Sequence, residues 1–521
     1  MYFSPTNPPL PDTEIKETLS PQEEKFEHYR KTTGYFLGPV AAIILFLIPI
    51  PAITDKAHIL AGILGWVVVW WVTEPIPIPA VSLMGVVLCV IFNVGSIKAV
   101  LAPFADPIIF LFLGSFILAE AMMIHKLDKR FAYTIMSLKW IGESPARIMF
   151  TFGAITGFIS MWISNTATTA MMFPIALGIV YATSDLMEAK SGKKVDPAKL
   201  RFGTGMMLMA AYSASVGGIG TPVGSPPNLI GIAMIEKFAH LKIPFFQWMM
   251  ITIPILIVIY IILFYLLYYL HKPEITSLEG NRGYIKEEYN KLGAWCKGEK
   301  VTLFAFAVTV TLWIIPGFLE IFSGSGSGFT NAYNSRFPES VAALTGALLL
   351  FIIPVDWKEK RFAINWKQAA KINWGILILF GGGLSLGNLM FETKLADAIG
   401  SGLFYFTGVT SVWSITFVAI FLAIVISEAT SNTASANMVV PVIISLSIAA
   451  GINPVPPAIG ATLGASWGFM LPISTPPNAI VYGSGMVPIR KMIRAGIWFD
   501  IIGGLVIWLG LRIMLPLAGL G

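Results

Sequence analysis

The chain has 521 residues, of which 55% are hydrophobic and only 12% charged, with a formal net charge of +6. Soluble globular domains carry about twice that charged fraction, so a soluble fold is excluded and the chain is read as a bilayer-embedded protein. The basic residues lie in short segments between apolar runs and form no stripe interleaved with aromatics, which excludes a nucleic-acid role.

Residues 1–34 mix acidic and basic side chains and lack an apolar core, so they read as a cytosolic N-terminal tail and not as a cleaved signal. Apolar stretches at 35–53, 59–72, 108–123, 248–269, 301–315, 340–353, 374–390 and 497–515 are mostly long enough, with tilt, to cross hydrocarbon. Lys126, Lys129 and Arg130 form one basic loop, and Lys190, Lys193, Lys194, Lys199 and Arg201 another. Lys272 to Lys300, Lys358 to Lys371, and Arg490 with Lys491 and Arg494 complete the set that the positive-inside rule places in the cytosol. The Gly/Ser-rich segment Pro316 to Pro338 and the Lys/Arg-free loops near 407–412 and 451–457 are expected outside. Walking the chain under this rule gives roughly eleven crossings, with the N-terminus in the cytosol and the C-terminus extracellular or periplasmic. Cys89 sits in an apolar run and Cys296 in a charged loop, so no disulfide framework is implied.

Two further apolar stretches carry a polar tripeptide at their centres. Ser164-Asn165-Thr166 lies in 147–182, flanked by basic segments, and Ser431-Asn432-Thr433 lies in 412–450, flanked by segments without Lys or Arg. Polar residues are costly at membrane depth, and non-helical backbone is tolerated there only where protein or a cavity covers it. Each stretch therefore reads as a re-entrant hairpin, one entering from each side, with the tips meeting. Ser164 to Ser431 and Pro174 to Pro441 are both displaced by 267 positions, and the same displacement lays Leu113-Gly114 onto Phe380-Gly381. Ser225-Pro226-Pro227-Asn228 matches Thr475-Pro476-Pro477-Asn478 at 250, the difference falling in the charged insertion Asp185 to Arg201. The chain is thus read as an inverted repeat.

The proline pairs break their helices, which frees backbone groups. Half-helix N-termini suit carboxylates, while carbonyls and hydroxyls suit a hard cation such as sodium. No Lys or Arg occurs between Ala398 and Ile489 or between Ile148 and Ala189. A dianion held by these segments would need positive charge to arrive with it, and a co-bound cation supplies that. Asn165 and Asn432 are candidates for a double role, since an amide oxygen coordinates a cation while its NH₂ donates to a carboxylate. Cation-coupled solute transport leads this reading; an ion channel and an intramembrane enzyme or receptor remain as alternatives. The Trp70-Trp71 pair is assigned to the interfacial belt or core. Glu428 is assigned either to tuning a cation site or to hydrogen-bonding the hairpin backbone, and Glu74, Asp106 and Glu120 to helix ends and polar packing.

Ser-Asn-Thr-Ala-Thr-Thr-Ala-Met-Met at 164–172, Leu-Phe-Gly-Gly-Gly at 379–383, Thr-Ser-Asn-Thr-Ala at 430–434 and Thr-Pro-Pro-Asn-Ala at 475–479 resemble the divalent anion/sodium symporter family, the INDY-type di- and tricarboxylate carriers. The resemblance spans about 38–515 and implies an all-α polytopic elevator-type transporter, with about eleven transmembrane helices and two re-entrant hairpins, working as a homodimer. Its implied parts are a tail at 1–34, scaffold helices at 35–143 and 272–396, and a transport domain from 144–271 and 397–521. It places one sodium ion at Ser160, Ser164, Asn165 and Gly224, and a second at Ser427, Thr430, Asn432 and Ser474. Substrate carboxylates are placed between Asn165, Thr166, Ser225 and Pro226 on one side and Asn432, Thr433, Thr475 and Pro476 on the other. Ser225 stands where the family often has Thr, and Thr430 and Ser474 where Ala is common. Neither change removes an oxygen ligand. Some exchangers of the family carry a basic residue shortly after the first motif, where this chain has Ala167-Thr168-Thr169, which favours symport. The implied activity is sodium-coupled uptake of C4-dicarboxylates across a plasma or microbial inner membrane, without enzymatic chemistry. A sodium-independent dicarboxylate or citrate exchanger and an anion channel are the alternatives, and sulfate-like anions also fit neutral donors.

Overall fold

A computed structural model describes residues 21–50, 53–138, 141, 143–278, 281–323, 327–408 and 411–520. They are helical almost throughout; the two short strands among them, Pro354–Asp356 and Arg361–Phe362, pair antiparallel. The all-α polytopic expectation therefore holds. Nine helices among the described residues are long and apolar enough to cross a membrane, and three of these, Asn165–Ser191, Val412–Ala429 and Asn432–Ala449, are hairpin arms. Setting the arms aside leaves six, Asp55–Thr73, Pro107–Ile124 with the turn before it, Phe245–Leu270, Lys297–Ser323, Trp374–Glu392 and Ile489–Leu517, to which Pro21–Leu47, the shorter Ile78–Ile91 and Glu339–Ile352 are added. Two interrupted helices complete the set, Arg201–Gly218 with Pro226–Phe238 and Val455–Ala465 with Pro476–Tyr482.

Several boundaries differ from those expected. Residues 1–20 of the tail lie outside the described residues, but 21–34 are helical. Arg30, well inside the expected tail, donates to Val72 O at 3.2 Å and pairs with Glu27 at 2.8 Å, and Trp70 Nε1 donates to Gly34 O at 3.0 Å. Packing against Asp55–Thr73 thus carries the first helix beyond its apolar run, and it buries Trp70 and Trp71 within the protein. Helix Ile78–Ile91 has only 14 residues and was not anticipated. The segment expected as an outer loop from Pro316 is instead helical to Ser323, and helix Gly328–Arg336 follows, capped by Ser327. The charged insertion from Asp185 extends the preceding helix to Ser191, where Gly192 at φ 65° ends it, a left-handed position that favours glycine.

The repeat is visible in matching boundaries. Hairpin arms begin at Pro145 and Val412, and again at Asn165 and Asn432, both 267 apart; the restarted helices begin at Pro226 and Pro476, 250 apart. Lys126 and Lys394 open the two short helices ahead of the hairpins, both with left-handed backbone, at φ 56° and 64°. Glycines allow the close approaches these bodies need. A Cβ on Gly217 would lie 2.1 Å from Gly157 O, one on Gly464 2.6 Å from Ile420 O, and one on Gly114 2.6 Å from the Ala343 backbone. Small residues at such crossings let helix backbones meet where no hydrophobic force separates helix from lipid. Ahead of the first hairpin, buried Arg130 pairs with buried Glu299 at 2.6 Å and donates to Gly293 O and Leu292 O.

Candidate functional site

The duplicated tripeptide has a local folding role. Helix Pro145–Ser160 stops at the tip 161–164, and Ser164 caps the returning arm by accepting from Ala167 N at 3.3 Å. Ser431 does the same for Ala434 N at 3.2 Å. Serine is a favoured N-cap, so Ser-Asn-Thr encodes a helix start in the middle of an apolar stretch, and each start presents free backbone N–H groups and the positive end of a helix dipole. Behind each tip the amide is fixed: Ser160 Oγ donates to Asn165 Oδ1 at 2.8 Å, and Ser427 Oγ lies 2.8 Å from Asn432 Oδ1 and 2.8 Å from Ala465 O.

The third residue of each Pro-Pro-Asn works on the break itself. Asn228 Nδ2 donates to Gly218 O and Thr221 O, each at 2.8 Å, and Asn478 Nδ2 to Gly468 O at 3.1 Å and Leu471 O at 3.0 Å. The amide takes up carbonyls that the interrupted helix leaves without partners. This corrects the expectation that the breaks simply leave carbonyls unpaired: part of the set is already satisfied by the motif.

Other oxygens converge on Gly224, where a Cβ would sit 2.6 Å from Gly218 O, 2.9 Å from Met161 O and 3.0 Å from Ser160 O. With Ser160 and Asn165 alongside, this is a cradle of neutral oxygens of the kind a hard monovalent cation accepts. In the second repeat, displaced by 250, Ser474 stands at the position of Gly224 and Gly468 at that of Gly218. At Gly468 a Cβ would meet Ser474 Cβ at 3.1 Å and Ser427 O and Oγ at 3.3 Å. Thr430 stands apart, since its hydroxyl donates to Trp71 O at 2.8 Å on the helix Asp55–Thr73. The linkers are also tied differently. Thr221 Oγ1 donates to Met161 O and accepts from Gly224 N in the first, whereas Glu428 accepts from Phe469 N at 2.5 Å, Met470 N at 2.8 Å and Ser474 Oγ at 2.5 Å in the second. Glu428 therefore bonds the broken-helix linker and not its own hairpin. Glu74 caps its helix in the left-handed region and lies 3.7 Å from Arg30, and Asp106 accepts from Ile108 N.

Both tips open on one cavity of about 700 Å³, a volume suited to a small organic ligand. Asn165, Thr166, Ser225 and Pro226 line it from the first repeat, and Asn432, Thr433, Thr475 and Pro476 from the second. Ser164 and Ser474 also reach its wall, whereas Ser160, Gly224, Ser427 and Thr430 lie behind it. The hydroxyls of Ser225 and Ser466 approach to 3.4 Å, joining the repeats. Sequence reasoning missed the charged rim. Glu74, Glu120 and Lys371 line the same cavity, so the hairpins and broken helices carry no cation but a lysine from the preceding loop does reach it. A second cavity of about 450 Å³, bordered by Asp106, Glu236, Lys242 and Glu339, includes none of the motif residues.

Comparison with known proteins is consistent along most of the chain. A family model described as the sodium:sulfate symporter transmembrane region matches residues 30–516. The sodium-dependent dicarboxylate transporter SdcS of Staphylococcus saprophyticus is 34% identical over 498 residues, covering 95% of this chain and 93% of that protein. SdcS of Staphylococcus aureus is 36% identical over 493 residues, covering 93% and 91%. Among solved structures, that of Neisseria gonorrhoeae MtrF, described as illuminating a class of antimetabolite efflux pumps, superposes with a TM-score of 0.51 over 81% of this chain and 84% of that one; at 13% identity the likeness is one of fold.

Proposed function

The chain belongs to the divalent anion/sodium symporter family, and from that membership we propose that it is a secondary active transporter coupling sodium to the inward movement of C4-dicarboxylates such as succinate, malate and fumarate. One observation carries the reading: two helix N-termini, each opening on a serine-fixed asparagine, face a single cavity lined by hydroxyl and amide side chains from both sides. One carboxylate rests against Asn165, Thr166, Ser225 and Pro226, the other against Asn432, Thr433, Thr475 and Pro476. Sodium is cargo held behind the tips. Ser160, Ser164, Asn165 and the Gly224 backbone take one ion, and Ser427, Asn432 and the backbone at Thr430 and Ser474 take the other, since the Thr430 hydroxyl is committed to Trp71. Lys371 lends further positive potential at the rim.

In this reading 35–143 and 272–396 form a scaffold and dimer interface, while 144–271 and 397–521 move as an elevator. Lys371, which the distribution of basic residues assigns to the cytosol, lines the cavity, and this supports an inward-facing conformation with the N-terminus cytosolic and the C-terminus outside. The test is uptake of labelled succinate by purified protein in liposomes, with malate, fumarate and citrate as competitors. Saturable uptake that needs an inward sodium gradient is expected; undiminished uptake with sodium and protons equilibrated would refute coupling, and unsaturable flux would indicate a channel.

A further inference from the structure

The helix Ile489–Leu517 carries an acid that the transport site described above does not use. Gly496, Asp500 and Gly503 are spaced four and three residues apart and so fall on one face. That face lies against the linker of the second broken helix: a Cβ on Gly496 would be 2.5 Å from Phe469 C and O, and one on Gly503 2.4 Å from Trp467 Nε1. Asp500 is thereby aimed between the linker and Glu428, whose carboxylate it faces. Both acids are 4% exposed. Their situations differ sharply. Glu428 accepts from two backbone N–H groups and the Ser474 hydroxyl, which offset its charge. Asp500 Oδ1 and Oδ2 have no hydrogen bond of normal geometry among the described residues, although the Phe469 N–H and the Glu428 carboxyl stand close by, and neither acid is paired there with Lys, Arg or His.

An ionised carboxylate that is buried and set against a second carboxylate is strongly disfavoured unless a cation joins it. Repeat architecture does not demand the pair. The position matching Glu428 at a displacement of 267 is Met161, and the helix packed on the first linker offers Thr252, bonded to Gly220 O. We propose that Asp500, with the Glu428 carboxylate and the Ser474 hydroxyl, holds a third sodium ion behind the second hairpin. One uncompensated charge calls for a monovalent ion, and no group of three or more acidic, His or Cys side chains suited to a divalent metal occurs among the described residues. Fully buried Tyr212, whose hydroxyl donates to Phe469 O at 2.6 Å, borders both acids and closes the site.

The inference rests on the sodium-coupled reading and is tested apart from it. Purified wild-type protein is saturated with ²²Na⁺ and succinate and the bound ions counted per chain. Three support the site, two overturn it while leaving coupled transport intact, and none overturns both. In liposomes the reversal potential of succinate flux should show one sodium fewer per substrate in Asp500→Asn than in wild type. An unchanged ratio in that variant would mean that an amide serves as well as the acid, as it would if a proton occupied the place, and would also overturn the proposal. The ion count on wild type decides the matter if Asp500→Asn does not fold.

Discussion

Gly224→Ala isolates the first of the two proposed sodium positions, because the added methyl would occupy the space where three carbonyls converge. The new carbon would sit 2.6, 2.9 and 3.0 Å from the oxygens of Gly218, Met161 and Ser160, and all three are backbone atoms that cannot rotate away. Overpacking of this kind costs about 1–3 kcal/mol. If it falls on the cation-bound form, half-saturating sodium for succinate uptake should rise roughly 5- to 140-fold, at 1.4 kcal/mol per decade. Gly468→Ala is a milder case in the second repeat, since its nearest neighbours, the Ser474 Cβ and the Ser427 O and Oγ, stand at 3.1–3.3 Å, and Gly283→Ala is the blank, with nothing within 4 Å. The assay is sodium-dependent uptake in proteoliposomes, paired with the rise in melting temperature that sodium confers in detergent. Gly224→Ala should lose most of that rise, Gly468→Ala part of it and Gly283→Ala none. Wild-type sodium dependence in Gly224→Ala would show that the carbonyl cradle holds no cation.

Asn165→Ala and Thr433→Ala should each abolish sodium-dependent succinate uptake while the protein still elutes as a folded species; wild-type uptake in both would remove the motif from the site. If more than two sodium ions accompany each dianion, an inside-negative potential should accelerate uptake, with about 2.3 kcal/mol per net charge per 100 mV available to drive it; a rate insensitive to valinomycin-imposed potential would indicate electroneutral coupling. His271, 4% exposed at the end of Phe245–Leu270, has its pKa lowered to about 4 by burial first and by Lys491. A base whose folded pKa lies below its unfolded value leaves stability intact above the unfolded value and erodes it as pH falls from ~6.5 toward 4, by about 2 kcal/mol at pH 5. The fall in melting temperature between pH 7 and pH 5 should therefore be smaller in His271→Gln than in wild type; equal falls would locate the acid sensitivity elsewhere.

The site was legible in the chain to the extent that it is local and duplicated. Ser164 and Ser431 are N-caps, Pro226 and Pro476 restart helices, and the displacements of 267 and 250 recur in helix boundaries and in the Ser160–Asn165 and Ser427–Asn432 contacts. Features set by contact between distant segments were not legible. Asp500 stands 72 positions beyond Glu428, Arg130 meets Glu299 across 169, and Lys371 reaches the cavity from a loop that composition marks only as basic. Helix ends failed for the same reason. The apolar run at 35 gives no notice that Arg30 is held by Val72, and Pro316 looks like a stop until packing carries the helix through it.

The two fixed asparagines have a bearing on molecular shape. Each serine occupies the oxygen edge of its amide, so the NH₂ edge is left for whatever lies in the cavity, and the cavity greets a guest with a hydrogen-giving surface at either end. A molecule with acceptors at both ends can enter head first or tail first with equal satisfaction. One with a single acidic end strands the opposite amide, and an unmatched buried donor costs about 1–3 kcal/mol, so the penalty falls on monoacids however well they fill the space.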